Sequence, residues 1–333
     1  MGHSDKSPTS ENTLSQPLVT ICVTAYRRPT MILQSLLSCT TQDYRPLEIN
    51  ISDDSPNDLV EKMVRSVAVP EGIKLSYRRN IPSLGEPGNV NSLFEHASGQ
   101  YLLLLHDDDV LLPGAIRALV NAMADTPAAV AAFGGQDVIT DSGELDPIES
   151  KAISQRFKQE PHLAGIITDP LLCSLEHRFP NDGYLVESAA ARAIGYRSVA
   201  EVGRAGDCDF AIRLGLHYQE RSFILVADTI SQYRLTKGSS RTNVGICWRH
   251  YEVLAKMENL TLQQTAARDE LMEFYTPYAL VDNAVFGQRQ KALSIFFAKG
   301  YRRQSSFVRR AYHLLLIFFP QIYRLRRFVN LEA

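Results

Sequence analysis

Long apolar runs, paired cysteines and a surplus of either charge are all missing from this chain. No apolar run approaches the roughly 18–20 residues that a transmembrane helix needs, which excludes a spanning helix. The five cysteines (Cys22, Cys39, Cys173, Cys208, Cys247) are scattered without zinc-type spacing. They read as reduced, mostly buried thiols in a reducing compartment. A net charge of −2 removes any whole-chain case for a nucleic-acid partner. No G-x-G-x-x-G follows the first strand and no Walker G-x-x-x-x-G-K-[ST] occurs, so dinucleotide and P-loop sites are excluded by fingerprint. A nucleotide would be held by other means, with acids on base and ribose and a metal on the phosphates. No internal repeat and no signal peptide are visible, and residues 1–17 read as a polar, disordered leader.

What is present suits a globular protein: 333 residues, 45% hydrophobic and 22% charged. The centre of the pattern is Tyr101-Leu102-Leu103-Leu104-Leu105-His106-Asp107-Asp108-Asp109. A continuous apolar run bounded by polar residues reads as a strand buried on both faces. It ends in three acids, which repel one another and resist desolvation. Water relieves that strain in a solvated turn; so does a divalent cation with oxygen ligands. Pro113-Gly114 then opens a helix with Ile116, Leu119, Val120 and Met123 on one face.

The flanking segments repeat this design. Strands are expected at 18–24, 47–52 and 73–77, with helices at 30–41, 57–68 and around 89–97. Alternating strands and helices imply right-handed crossovers and a mostly parallel sheet flanked by helices. In such a sheet the acids after the second strand, Asp53-Asp54, fall on the same edge as Asp107-Asp108-Asp109. That edge is where open α/β sheets bind ligands.

Beyond residue 128 the pattern loosens. Residues 130–133 read as a strand, Gly134-Gly135 as a turn and 141–170 as a mobile loop or subdomain. A strand at 183–186, a short helix at 188–194 and a strand at 223–227 follow. Gly206-Asp207-Cys208-Asp209 reads as a helix start, where Asp207 serves either as a cap or as a functional acid. Residues 231–241 read as a flexible basic loop.

These motifs, in this order, resemble glycosyltransferase family 2, enzymes with the nucleotide-binding GT-A fold. Residues 19–29 are similar to the family's first strand and donor-site turn, with Ala25 and Arg27 departing from its usual residues. Ser52-Asp53-Asp54-Ser55 resembles its Asp-Asp-Gly-Ser motif without the glycine, and 80–91 its Asn-x-Gly stretch. His106-Asp107-Asp108-Asp109 resembles the metal-binding D-x-D element, and Gly206-Asp207-Cys208-Asp209-Phe210 with Arg213 the later motif that supplies the base. Tyr233-Arg234 with Gly238-Ser239 is similar to a donor-closing loop. The resemblance covers about residues 18–243, which sets the expected catalytic domain, with 244–333 a helical C-terminal region.

The resemblance implies roles. Thr24, Ala25, Tyr26, Arg28, Asp53, Asp54, Asn89 and Asp107 would form the donor site, Asp54 on the nucleobase and Asp107 on the ribose. Asp108 would hold Mg²⁺ or Mn²⁺ on the donor diphosphate, and Asp109 could share that task. Lys237 and Arg241 would meet the diphosphate when the loop closes. Asp207 would deprotonate an acceptor hydroxyl, with Asp209 as second choice, in a single displacement with inversion. The donor would be a nucleotide sugar, a UDP-sugar before dTDP or GDP, and the acceptor a glycan or lipid-linked sugar. Two alternatives remain at this level: a sugar-phosphate nucleotidyltransferase, or a non-catalytic nucleotide-sugar-binding protein on a similar fold.

The C-terminal end is basic: Lys299, Arg302, Arg303, Arg309, Arg310, Arg324, Arg326 and Arg327 face one acid, Glu332. A helix there would place Phe307, Ala311, Leu314, Leu315 and Phe318 on one face, and Arg302, Arg303, Arg309, Arg310 and His313 on the other. Such a helix suits the plane of an anionic membrane, through 300–327, and a peripheral place on the cytosolic face. The competing reading is a helix packed on the catalytic domain or a homodimer contact.

Overall fold

The protein is described here from a computed structural model covering residues 16–236, 247–298, 301 and 305–323. Lys237 and Arg241, and in the tail Lys299, Arg302, Arg303, Arg324, Arg326 and Arg327, lie outside the described residues.

Among the described residues nine strands form one sheet, parallel in its first half and mixed in its second. The first half follows the hydrophobic pattern. Strands β1 (Val19–Ala25), β2 (Leu47–Asp53), β3 (Ile73–Arg79) and β4 (Tyr101–His106) are parallel neighbours. Helices α1 (Met31–Thr40), α2 (Leu59–Arg65) and α3 (Gly85–His96) cross between them. The apolar run 102–105 is fully buried, as a strand covered on both faces requires. One core layer joins Ile21, Val23, Leu103 and Leu105 to Ile32, Leu36, Ile116 and Leu119; the other joins Cys22, Leu102 and Leu104 to Val90, Phe94, Phe133 and Phe210.

The second half is mixed. Strand β8 (Leu185–Glu187) runs antiparallel to β4 and to β6 (Ala129–Ile139), and β6 runs parallel to β9 (Ser222–Arg234). The short β5 (Val110–Leu111) and β7 (Gly165–Ile167) are antiparallel to β9. The helices here are α4 (Ala115–Asp125), α5 (Pro147–Arg156), α6 (Pro170–Leu175), α7 (Ser188–Ile194), α8 (Val199–Val202) and α9 (Gly206–His217).

Three expectations are corrected. Gly134-Gly135 is not a turn: β6 runs through it with register shifts, because a side chain at Gly134 would strike the Asp228 carbonyl and Ile230 of β9. Residues 141–170 are not irregular. Pro147 and Pro170 occupy first helical turns, capped by Asp146 and Asp169 through the N–H groups of Ile148, Glu149 and Leu172, so these prolines start helices. Ser231–Arg234 is not a loop but the end of β9, between β6 and β5. Its buried side chains are polar and satisfied across the sheet, which hides the strand from a hydrophobic pattern.

Among the described residues four helices follow, α10 (Cys247–Ala255), α11 (Leu262–Val285), α12 (Arg289–Phe297) and α13 (Phe307–Phe318). They are not a separate body. Leu254, Ala267, Leu271 and Tyr275 share a core with Leu171, Leu175, Cys208 and Ile212. Gln264 closes the α11 capping box with Thr261 and also reaches Asp169, the α6 cap, at 3.1 Å. In α13 the buried face is His313, Leu316 and Ile317, packed with Ala279, Leu280 and Ala284 of α11. This corrects the placement of His313 on a polar face: its Nδ1 lies 2.6 Å from the Tyr301 hydroxyl. The expected apolar face, Phe307 to Phe318, points outward, with Phe307 78% exposed.

Candidate active site

The carboxyl ends of β1, β2 and β4 bring the expected acids to one edge. The turn after β1 is tied to the acids after β4: the Tyr26 N–H donates to Asp107 Oδ2 at 2.7 Å, and Arg28 Nη1 donates to Asp107 Oδ1 at 2.8 Å. Arg28 Nη2 also lies 3.2 Å from Asp108 Oδ2. Burial raises the Asp107 carboxyl to about 6; Arg28 works against that shift, and Asp108 adds to it. Thr24 and Ala25 contribute as the last residues of β1; the Ala25 carbonyl accepts from Asp54 N–H at 2.9 Å. Tyr26 keeps its ring exposed, with the Arg27 guanidinium 5.0 Å from its centroid.

The acids after β2 divide their work. Asp53 is fully buried and accepts from Ser55 N–H at 2.8 Å and the Tyr77 hydroxyl at 2.7 Å, so it shapes the turn. Asp54 Oδ1 accepts from Asn80 Nδ2 at 2.8 Å and Leu84 N–H at 3.1 Å, while Oδ2 has no hydrogen bond among the described residues. Asn89 is buried and acts one step back, its Oδ1 holding Asn80 at 3.2 Å.

Behind the tip of β4 lies a group in which the expected Asp109 and His106 meet Asp182, a residue that the sequence does not point to. His106, Asp109 and Asp182 offer ligand atoms within 4.8 Å of one another. Asp182 is fully buried, with Oδ2 accepting from His106 N–H at 2.9 Å and Oδ1 from Gln136 Nε2 at 3.0 Å. The neighbouring Gly183 has φ +72°, and a Cβ there would sit 2.6 Å from Ser231 Oγ, so only glycine turns the chain here. Burial opposes a charge on His106, but Asp182, Asp207, Asp108 and Glu86 outweigh it and raise its pKa to about 9. Asp109 accepts from Arg234 N–H at 2.7 Å, while its Oδ2 is buried without a hydrogen bond, 3.7 Å from His106 Nδ1. Burial, then Asp182 and Asp108, push the Asp109 carboxyl well up. An orphaned carboxylate oxygen beside further hard oxygen donors fits Mg²⁺ or Mn²⁺. Asp108, with 12% of its side chain exposed, is the tip acid that a ligand could reach; Asp109 and Asp182 lie deeper.

Arg234 braces this tip. It is buried, and its Nε donates to the Asp108 carbonyl at 2.8 Å, Nη1 to the Thr140 carbonyl at 3.2 Å and Nη2 to Gln34 at 2.6 Å. Arg234→Met leaves these acceptors unpaired and is expected to cost about 3 kcal/mol of stability. A urea titration checks this; an unchanged midpoint would remove the bracing role.

Asp207 opens α9 and forms part of the wall of a cavity of about 370 Å³. Its Oδ1 accepts from the Tyr196 hydroxyl at 2.9 Å, and Tyr196 stacks on Phe210 with centroids 5.0 Å apart. Burial lifts Asp207 to about 6; His106 restrains the shift and Glu86 adds to it. Asp209, two residues on, is turned into the protein. It is 1% exposed and held by Arg197 and Arg213, with Arg213 Nε 2.8 Å from Oδ2. As second-choice base it is therefore corrected: a carboxylate held by two guanidiniums outside the cavity is poorly placed to take a proton.

The sequence comparisons agree with this geometry. A family model described as glycosyl transferase family 2 matches residues 20–171. A curated relative, the GalNAc(5)-diNAcBac-PP-undecaprenol beta-1,3-glucosyltransferase of Campylobacter jejuni, is 31% identical over 106 residues. That match covers 32% of this chain and 34% of the relative's length, so the chain spans about a third of that protein. Among solved structures, S. aureus TarS in complex with UDP-GlcNAc superposes with a TM-score of 0.62 at 14% identity, covering 87% of this chain and 93% of the other. The mannosyltransferase PcManGT from Pyrobaculum calidifontis, in complex with GDP-Man and Mn²⁺, superposes at 0.58 with 15% identity, covering 92% and 88%. At such identities the structural likeness speaks for the fold, and the family match for the motifs. Residues 20–171 thus match glycosyl transferase family 2, and the chain has the GT-A fold of the superposed structures.

Proposed function

We propose that the protein transfers a sugar from a nucleotide-sugar donor to a hydroxyl of a glycan or lipid-linked acceptor, with inversion and with a divalent metal. The observation that carries this reading is the place of Asp207, a half-buried carboxylate that burial raises to about 6. It lines a cavity and lies close enough to the end of β4 to feel His106. In this role Asp207 takes the proton of the acceptor hydroxyl as its oxygen attacks the anomeric carbon. The bond from that carbon to the leaving nucleoside diphosphate breaks on the opposite face, which inverts the centre. Tyr196 orients the carboxylate. Asp54 Oδ2 and the exposed Tyr26 ring would receive the base, and Asp107 the ribose.

Asp108, backed by Asp109, Asp182 and His106, would hold Mg²⁺ or Mn²⁺ on the donor diphosphate. A bound divalent ion stabilises the negative charge that grows on the leaving group. The named relative acts on a lipid-linked substrate, and the two superposed structures carry UDP-GlcNAc and GDP-Man with Mn²⁺. A screen of donor hydrolysis over UDP-, GDP- and dTDP-sugars, with and without Mn²⁺, tests the reading. Hydrolysis of none, or hydrolysis indifferent to metal, would overturn it.

A peripheral place on the cytosolic face of an anionic membrane belongs to the same proposal. Among the described residues, no helix is long and apolar enough to cross a membrane. Helix α13 instead presents Phe307, Val308, Leu315 and Phe318 outward, with Arg309 exposed beside them. Apolar and aromatic side chains flanked by arginines fit the headgroup boundary, each basic residue adding about 1 kcal/mol near such a surface. Truncation would bare the core that Leu316 and Ile317 cover, so the test uses the surface variant Phe307→Asp/Leu315→Asp. Sedimentation with anionic vesicles is expected to fall at least about tenfold in the variant, and in the native chain to weaken with salt. Equal sedimentation of both forms would leave the face without this role.

A further inference from the structure

The cavity beside Asp207 is walled from two parts of the chain. Asp207, Arg204, Arg156 and Phe157 come from the sheet-bearing part. Phe274, Tyr275 and Tyr278 come from α11, which lies beyond the residues matched by the family model. Tyr275 is buried, but Phe274 is 38% and Tyr278 39% exposed, with ring centroids 5.8 Å apart. Both belong to the cavity wall and offer flat apolar surface there. The C–H face of a sugar ring packs on such rings, while its hydroxyls stay free for polar partners.

The charge in the cavity is unbalanced. Arg156 and Arg204 both line it, and neither makes an ion pair with a carboxylate among the described residues. Arg156 is held over the rings of Phe157, at 5.5 Å, and Phe274, at 4.9 Å. Burial, and then Arg156, push the His177 imidazole down to about 4, so it adds no charge near neutral pH. Among the described residues, Asp207 is the single acid of the lining. Two guanidiniums without counter-charges favour an anion, and their forked donors match phosphate oxygens.

We propose that this cavity selects a phosphorylated sugar as acceptor, its ring against Phe274 and Tyr278, its phosphate on Arg156 and Arg204, and one ring hydroxyl turned to Asp207. The inference rests on Asp207 as the base. The phosphate can belong to a soluble sugar phosphate or to a lipid-linked diphosphate headgroup, and the recognising chemistry is the same. Acceptor choice then depends on Arg204 and α11, both beyond the residues that the family model matches.

The test uses the full chain with the donor side filled by Mn²⁺ and saturating UDP or GDP, whichever binds. Ligand-observed NMR and calorimetry compare hexose and N-acetylhexosamine 1-phosphates with the matching methyl glycosides and glycuronic acids. A third arm adds a polyprenyl-diphosphate sugar in micelles. The phosphates are expected to bind at least about tenfold more tightly than the neutral glycosides. Arg204→Gln should erase most of that preference, and Tyr278→Ala should weaken all ligands by about tenfold. Retained affinity for Mn²⁺–nucleotide shows that each variant is folded. Equal binding of neutral glycosides, tighter binding of glycuronic acids, or a preference untouched by Arg204→Gln overturns the proposal. A preference for the micellar ligand over the soluble phosphate supports it with a lipid headgroup as source, and equal affinity supports it with a soluble one. A native chain that binds sugar phosphates here but hydrolyses no nucleotide sugar would instead overturn the transferase reading, so the two failures are distinct.

Discussion

Asp207→Asn is expected to lower kcat for sugar transfer by roughly 10²–10⁴-fold, the usual contribution of a general base. Affinity for nucleotide and metal should stay within a few-fold, because the base acts on the acceptor in the transition state and not on the donor in the ground state. The amide keeps the shape, and its oxygen can still accept the Tyr196 hydroxyl, so the loss reports proton transfer and not misfolding. In the native enzyme the sign of the pH dependence follows from the raised pKa. Asp207 must be ionised to accept a proton, so kcat/KM should fall tenfold per pH unit as pH drops below about 6. Asp209→Asn should behave oppositely. It strips Arg197 and Arg213 of their shared carboxylate, so the melting temperature should drop more than kcat does. Near-normal turnover in Asp207→Asn with a collapse in Asp209→Asn would exchange the two assignments.

The second large effect is at the tip of β4. Asp108→Asn should reduce Mn²⁺-dependent nucleotide affinity by more than about 100-fold, since even outer-shell changes around a metal cost roughly 10–100-fold. Stability should not suffer. Asp107, Asp109 and Asp182 crowd the same corner, and Arg28 retains its 2.8 Å contact with Asp107 when Asp108 is neutral. One negative charge fewer relieves repulsion, so the melting temperature without metal should be equal or higher. Calorimetry with Mn²⁺ and UDP or GDP, beside a thermal melt, reads both quantities. Undiminished metal-dependent binding would falsify the assignment of Asp108 and shift the ion to the deeper His106, Asp109 and Asp182.

The sequence by itself determined the parallel half of the sheet and the edge at which its acids meet. Strand β4 is a continuous apolar run, β1 is rich in β-branched residues and β2 alternates apolar with polar ones, so each of these strands is legible locally. Once alternating strands and helices imply parallel pairing, Asp53-Asp54 and Asp107-Asp108-Asp109 must fall together, with no knowledge of distance. Tertiary structure decided what closes around that edge. Asp182, Tyr196, Gln136 and Arg234 act through partners 11 to 200 residues away, and a lone polar residue has no periodicity to announce it. The end of β9 was missed for the same reason: its buried face is polar, satisfied by Gln136 and by the carbonyls around Arg234. The choice between Asp207 and Asp209 was likewise beyond the sequence. Two residues apart at the start of a helix, they diverge by about 200° around its axis, one to a cavity wall and the other between two arginines. The aromatic wall of that cavity arrives on α11, more than sixty residues after Asp207, because Leu271 and Tyr275 bury themselves against Cys208 and Ile212 and carry Phe274 and Tyr278 to its rim.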